Sequence, residues 1–380
     1  MSRQAVIVAY GRTACGRARK GGLANTHAVD YAAAALSGTL AKIPELDPAD
    51  IDDIIVGCAM PINQLNMQTA RLIAMRAGLP ESVSAQTINR FCSSSLQAIA
   101  TGANAILAGM QDVIVAGGVE DMTHCFEPYP EEYMNPWIRD NYPGGYMSMG
   151  ETAERVAEKY NISRGQMEQM AVESNAKAAA AQDAGKLAKS IISVETEAGA
   201  FDRDDGIRPG TSLESLAKLK PCFRENGRVT AATSSQTTDA AAFVVVMSRE
   251  KADSLGIEPI ARFVRFEAVG CDATMMGIGP IYAIPKVMEK SGLSISDMDV
   301  IELNEAFAAQ ALACISELHL PYDKVNPYGG AMALGHPMGA TGAFLTIKAL
   351  DRLAETGGKY ALISMCVGGG MGAAGIFEKL

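Results

Sequence analysis

Histidine is rare in this chain, four residues in 380, and no Cys-x-x-Cys pair occurs, so a structural zinc site is not expected. No apolar run approaches the roughly 20 residues that span a bilayer, so no membrane span is expected. No long basic run offsets the net charge of −10, which argues against a nucleic-acid partner. Met1-Ser-Arg-Gln leads straight into the strand-like Ala5–Ala9, leaving no room here for a presequence. Glu378-Lys-Leu380 is only loosely like the Ser-Lys-Leu address and reads as the frayed end of a last strand. The eight cysteines are scattered. Cys58, Cys314 and Cys366 sit in apolar runs, which suits reduced thiols better than a disulfide framework. With 48% hydrophobic and 20% charged residues, the chain belongs to the soluble globular class and is long enough for two domains or one large duplicated fold.

What is present is alternation. Ala5–Ala9, Asp53–Gly57, Ala85–Ile88, Asp112–Gly117 and Ala242–Met247 read as strands, and Tyr31–Lys42, Cys92–Met110 and His336–Ala354 as helices, the pattern of a parallel α/β fold. The chain also resembles itself. Leu46–Gly57 matches Leu293–Asn304, each a capped helix, an acidic turn and a strand, and Asp112–Gly118 matches Lys359–Met365. Two copies of one α/β unit are expected: residues 1–118 plus 228–249, and residues 250–380. Between them 119–227, rich in Tyr, Pro, Met and charge and with one helical run over Glu151–Ala184, reads as an insertion draped over the first copy.

Four motifs carry chemistry. Cys92, in Asn89-Arg-Phe-Cys92-Ser-Ser-Ser95, follows a strand and opens a helix, where the dipole and unpaired N–H groups favour a thiolate. His336, in Gly335-His-Pro337, stands on a glycine turn that presents the imidazole, with the proline suited to a first helical turn. Cys366 follows the strand Tyr360–Met365 and precedes Gly368, Gly369 and Gly370, whose N–H groups suit a thioester oxyanion. Asn304 and Glu305 end the strand Val300–Leu303, at the carboxyl edge where α/β sheets place ligands. Each alone is also compatible with a buried cysteine, a hinge or a strand end. All four fall just after strands, which is what a single site at one sheet edge requires.

With those residues in place the chain resembles the thiolases, and among them the degradative 3-ketoacyl-CoA thiolases. The likeness runs from Gly11-Arg-Thr13 through Gly57-Cys-Ala-Met-Pro61 and Asn304-Glu-Ala-Phe307 to Cys366-Val-Gly-Gly-Gly370. The resemblance implies a duplicated fold of two βαβαβαββ halves, layered α-β-α-β-α, with an inserted loop domain. It implies that Cys92 is the acylated nucleophile, that His336 activates it and that Cys366 moves the α-carbon proton. Asn304 with His336 would form one oxyanion hole through a water, and the N–H groups of Cys92 and Gly368 the other. Ser148, Met149, Lys220, Ser234, Arg265, Met276 and Phe307 are the residues it implies for acyl-CoA binding.

Coenzyme A is implied as co-substrate, with no tightly bound cofactor and no metal, so local cations must hold its phosphates against the acidic net charge. A homodimer or homotetramer, a β-oxidation hydratase/dehydrogenase partner and a bacterial cytoplasmic location are also implied. Ser148 stands where short-chain acetoacetyl-CoA thiolases carry histidine, which favours a roomier acyl pocket. Ser95, Thr233, Ala240 and Arg265 depart from the family pattern, and Arg265 is expected either to crowd the pantetheine tunnel or to meet a phosphate. A short-chain acetoacetyl-CoA thiolase and a weakly active acyl-CoA-binding subunit stand as alternatives.

Overall fold

The apolar runs form strands in the computed structural model, which describes residues 3–125 and 130–380. Met1, Ser2 and 126–129, the last four within the insertion expected to drape over the first copy, lie outside the described residues. The strands are β1 (Ala5–Arg12), β2 (Gly16–Arg17), β3 (Asp53–Gly57), β4 (Ser84–Ile88), β5 (Val113–Glu120), β6 (Val194–Thr196), β7 (Gly199–Phe201), β8 (Thr238–Ser248), β9 (Ala261–Gly270), β10 (Val300–Leu303), β11 (Tyr360–Val367) and β12 (Met371–Lys379). β1, β5 and β8 outrun their apolar cores because the ladders between them continue, Arg12 still pairing with Ala242 and Glu120 with Ala240. The last strand holds to Lys379 rather than fraying before it.

The main sheet runs β10-β11-β12-β9-β1-β8-β5-β3-β4. It is mixed rather than parallel: β3 lies parallel to β4 and β5, and β10 to β11, but β8 and β12 return antiparallel. Its halves meet at β1 and β9, where only Val6 with Arg262 and Ile7 with Ala261 are paired. Period-two alternation then sorts the side chains. Ala5 and Ile7 face a central core, while Val6 and Val8 face an outer one. The helices Ser94–Leu107 and Thr341–Thr356 fill the centre between the halves. Ala28–Leu40 and Thr69–Arg76 cover one outer face, and Gly279–Ser291 and Ala308–Glu317 the other, giving the layers α-β-α-β-α. The two central helices cross at Gly342, where any Cβ would lie 2.3 Å from the Leu96 nitrogen.

The internal likeness is physical. Asp52 Oδ2 accepts from the N–H groups of Asp112 and Val113 at 2.7 and 2.9 Å, and Asp299 Oδ2 accepts from Lys359 and Tyr360 at 2.6 and 3.1 Å. Each acid ties the start of one strand to its parallel neighbour. The expected capped helices before them are single 3-10 turns, Pro48–Asp50 and Ile295–Asp297. Glu151–Ala184 is likewise two helices, Met149–Lys159 and Arg164–Asp183. They are parted by Asn161 at φ 50° and the Ser163/Gln166 capping box. Arg12 pins the intervening stretch from below with two bonds to buried Asp204, at 2.7 and 2.8 Å. Breaking a buried pair of this kind costs about 3–5 kcal/mol. No helix among the described residues is long and apolar enough to cross a membrane.

Candidate active site

Turns at the carboxyl ends of parallel strands from the two halves build one cluster. After β4 the chain turns sharply through Phe91, held at φ 43°. The turn is fixed by Asn89 Oδ1, which accepts from the Phe91 N–H at 2.8 Å, and by Ser94 Oγ, which accepts from the Arg90 N–H at 2.9 Å. A 3-10 turn, Phe91–Ser93, carries Cys92, so the helix proper starts at Ser94, two residues later than expected. The departure at Ser95 has a use: its Oγ accepts from the Ala343 N–H at 2.9 Å and locks the two central helices. The Cys92 thiol keeps some exposure, and the N–H groups of Gly368 and of Cys92 itself act on it in favour of the thiolate. Burial outweighs them and pushes it to about 12. The donors expected to favour the thiolate are present, but burial leaves the resting group on the thiol side.

His336 does not open a helix. Gly335, at φ 97°, and Pro337 put it on an extended turn, and the helix begins at Thr341 after the 3-10 turn Met338–Ala340. Its N–H donates to Gln236 O at 2.9 Å. Nδ1 lies 2.6 Å from Thr341 Oγ1, whose single proton goes to Pro337 O at 3.0 Å. The hydroxyl can then only accept from the ring, so Nδ1 carries the proton and Nε2 keeps its lone pair. Nε2 faces Asn304 Nδ2 at 3.4 Å. Burial pushes the imidazole down to about 4, so it is neutral.

Asn304 extends the β10 ladder by one bond, its N–H donating to Ser364 O at 2.9 Å. Its buried Oδ1 has no partner among the described residues. Cys366 lies inside β11, opposite Gly372, rather than after the strand. Burial, with Cys92 beside it, pushes its thiol well up. Gly369 and Gly370, both at φ 80°, turn the chain there, and Gly368 passes against the Phe91 ring.

Beside this cluster opens a cavity of about 440 Å³, lined by Arg17, Lys20, Arg208, Phe223, Ser234 and Gln236 among others. Its wall at 234–237 bridges to Phe307 through Ser234 and to His336 through Thr237, so it leads to the imidazole. Burial, with Arg17 close by, pushes Arg208 down. Phe307 meets Phe223 edge to face at 6.0 Å. Met276 is buried and Met149 packs against the same outer core. Ser148 is exposed and caps the helix Met149–Lys159.

Two of the residues implied for acyl-CoA binding stand away from this cavity. Lys220 is exposed and off the cavity wall, whose cations are Arg17, Lys20 and Arg208. Arg265 neither crowds a tunnel nor meets that cavity: it binds Glu267 at 2.6 Å, on a face shared with Lys286 from the helix Gly279–Ser291. Thr233, the other doubtful departure, spends its hydroxyl on its own turn, accepting from the Thr230 N–H at 2.8 Å. Glu120, Thr341 and Arg208 were not singled out from the sequence.

Residues 5–250 match the thiolase N-terminal domain and 257–379 the thiolase C-terminal domain, so the chain belongs to the thiolase family. It is 43% identical over 389 residues to the 3-ketoacyl-CoA thiolase of Bacillus subtilis (strain 168), covering 99% of both chains. It is equally 43% identical to a beta-ketoadipyl-CoA thiolase of Escherichia coli over the whole of both chains. With peroxisomal 3-ketoacyl-CoA thiolase A of Mus musculus it shares 40% identity over 98% of this chain and 90% of that one. Among solved structures, the Bacillus anthracis acetyl-CoA acetyltransferase superposes with a TM-score of 0.92 at 36% identity, covering 100% and 99% of the two chains.

Proposed function

We propose that this protein is a 3-ketoacyl-CoA thiolase, an acetyl-CoA C-acyltransferase that cleaves 3-ketoacyl-CoA with CoA in fatty-acid degradation. The observation that carries the residue roles is the neutral pair: a Cys92 thiol under two N–H groups, and a buried imidazole whose unprotonated Nε2 faces only Asn304 Nδ2, at 3.4 Å. In cleavage, His336 Nε2 takes the Cys92 proton as the sulfur attacks the 3-keto carbon. The bond between C2 and C3 breaks, its electrons form the acetyl-CoA enolate, and Cys366 protonates C2. The Cys366 thiolate then takes the proton of an incoming CoA thiol, which attacks the acyl-Cys92 thioester, and Cys92 leaves with the proton held on His336. The covalent thioester divides one hard step into two easier ones. The N–H groups of Cys92 and Gly368 receive the thioester oxyanion. Asn304 and His336 receive the enolate, with the free Asn304 Oδ1 available to a bridging water.

CoA enters as co-substrate rather than as a tightly bound cofactor. Its chain runs along 234–237 and its phosphates meet Arg17, Lys20 and Arg208. In the same reading 119–227 is the loop domain between residues 1–118 with 228–249 and residues 250–380, and the protein works as a cytoplasmic homodimer or homotetramer. The outer edge of β4, at the end of the sheet order, offers a ladder to a second copy.

The fold shared with an acetyl-CoA acetyltransferase keeps the short-chain condensing reading in play. The binding-subunit reading loses its motive, since Thr233 and Arg265 are both engaged locally. The test is CoA-dependent cleavage across 3-ketoacyl-CoA substrates from four carbons to long chains, with a dicarboxylic member. Cleavage that improves with length upholds the degradative reading. Activity confined to acetoacetyl-CoA moves it to the short-chain enzyme, and none from folded protein revives the binding subunit.

A further inference from the structure

The reaction above leaves several buried acids unused, and Glu120 is the one that touches turns of the site. Glu120 ends β5 fully buried, with no cation in an ion pair with it among the described residues. Its carboxylate accepts only from protons belonging to two turns of the active site. Oε2 takes the Gly339 N–H at 2.6 Å and the Ala59 N–H at 2.9 Å, while Oε1 takes the Met60 N–H at 3.0 Å. The Cys58 thiol lies 3.8 Å from Oε1.

Both turns lead to a reacting group. Gly339 lies three residues past His336, in the 3-10 turn flanked by Thr341, which accepts the imidazole proton, and Pro337, whose carbonyl takes the Thr341 hydroxyl proton. This turn is pressed against the strand ends: a Cβ on Gly339 would lie 2.7 Å from Val119 O and 2.8 Å from Cys58 Cα. On the other side, the peptide between Ala59 and Met60, whose N–H binds Glu120 Oε1, offers its carbonyl to Asn89 Nδ2 at 2.9 Å. Asn89 Oδ1 in turn accepts from the Phe91 N–H at 2.8 Å, in the strained turn that presents Cys92. One carboxylate therefore joins the base turn of the C-terminal half to the nucleophile turn of the N-terminal half.

We propose that Glu120 is a positioning residue that sets His336 against Cys92. A carboxylate suits the task because it is acceptor-only and has two oxygens for three converging N–H donors. An amide of the same shape must turn its NH₂ toward either the Met60 N–H or the Gly339 and Ala59 N–H groups, so in both orientations a donor is set against a donor and the join is loosened. An aspartate keeps the charge but is one methylene short of spanning Gly339 and Ala59.

The test is steady-state thiolysis of acetoacetyl-CoA by Glu120→Gln and Glu120→Asp, together with ¹⁵N-imidazole spectra of labelled protein, readable because the chain has four histidines. We expect kcat to fall by about 10²-fold, the scale of a misplacement near 1 Å, with KM for CoA within about twofold. The His336 signals should move while those of His27 and His319 stay. A kcat within about threefold of wild type in either folded variant overturns the proposal, as does a loss of kcat with His336 signals unmoved. If one variant fails to fold the other is read alone, and if both fail Glu120 is a folding element and the proposal is wrong. The activity arm rests on the thiolase reading and the spectra do not, so wild-type protein without thiolysis would count against that reading alone.

Discussion

The two halves of the sheet carry the same anchor and do different work at their tips. Asp52 and Asp299 fix the same pair of parallel strands in each half with the same bifurcated bond. Each half also sends one helix into the centre behind a 3-10 turn. In the N-terminal half that turn contains the reactive residue, so Cys92 sits against N–H groups at the head of its helix. In the C-terminal half the reactive residue precedes the turn: His336 stands five residues before Thr341, tied back to it through Nδ1. The same scaffold thus presents a thiol under two N–H groups and an imidazole whose Nε2 faces Asn304 Nδ2. Burial drives them apart, Cys92 to about 12 and His336 to about 4, so both rest uncharged. The proton moves during the reaction and not before it.

The largest effect comes from breaking the N-terminal member. Cys92→Ala should lower thiolysis by about 10⁴-fold or more, since a covalent route cannot be rebuilt from the oxyanion donors alone. Acyl-enzyme should vanish from the intact-mass spectrum of protein mixed with acyl-CoA. Thiolysis within about tenfold of wild type would place the nucleophile elsewhere.

A smaller effect comes from the C-terminal member and is read from stability. The folded-state value of His336 lies near 4, below the 6.5 of an unfolded histidine. The native state therefore binds fewer protons between those values, and the contribution is present above pH 6.5 and lost as pH falls through about 4. Its size is about 3 kcal/mol, from roughly 1.36 kcal/mol per pKa unit. Glu120, raised to about 7, and Asp239, raised to about 6, act in the opposite sense, but they are common to wild type and variant. Urea unfolding of wild type and His336→Gln at pH 7 and pH 4.5 isolates the histidine. Wild type should lose more stability than the variant on acidification, and parallel losses would refute the buried neutral imidazole.

How much of this was legible follows from where each signal sits. Cys92, Asn304 and Cys366 stood out because apolar strands end at or beside them, and His336 because glycines frame it. The helix starts were misplaced because a 3-10 turn precedes each central helix, and residue types alone do not separate its i+3 bonds from those of an α-helix. Glu120 was hidden for another reason: an acid closing an apolar strand reads as a solvent-facing end, and its three N–H partners are 60, 61 and 219 residues away. Arg208 lies in a loop whose approach to Arg17 only the tertiary fold creates. Arg265 was readable after all, since Glu267 lies two residues on along the same strand and hence on the same face.

That last pair of arginines gives the finest version of the comparison, a cation on the cavity against a cation on the outer face. Arg208→Ala should raise KM for CoA about tenfold, because a charge-assisted bond to phosphate is worth about 1.5 kcal/mol or more. Added salt should shrink the difference, as it does for exposed charges. Arg265→Ser should leave that KM within about twofold and stability within about 1 kcal/mol, since its pair with Glu267 is half-exposed and Lys286 remains beside the same carboxylate. A larger KM effect from Arg265 than from Arg208 would mean that CoA takes the face of β9 and not the cavity beside His336. The wall at 234–237 would then be a structural seam rather than the path to the imidazole.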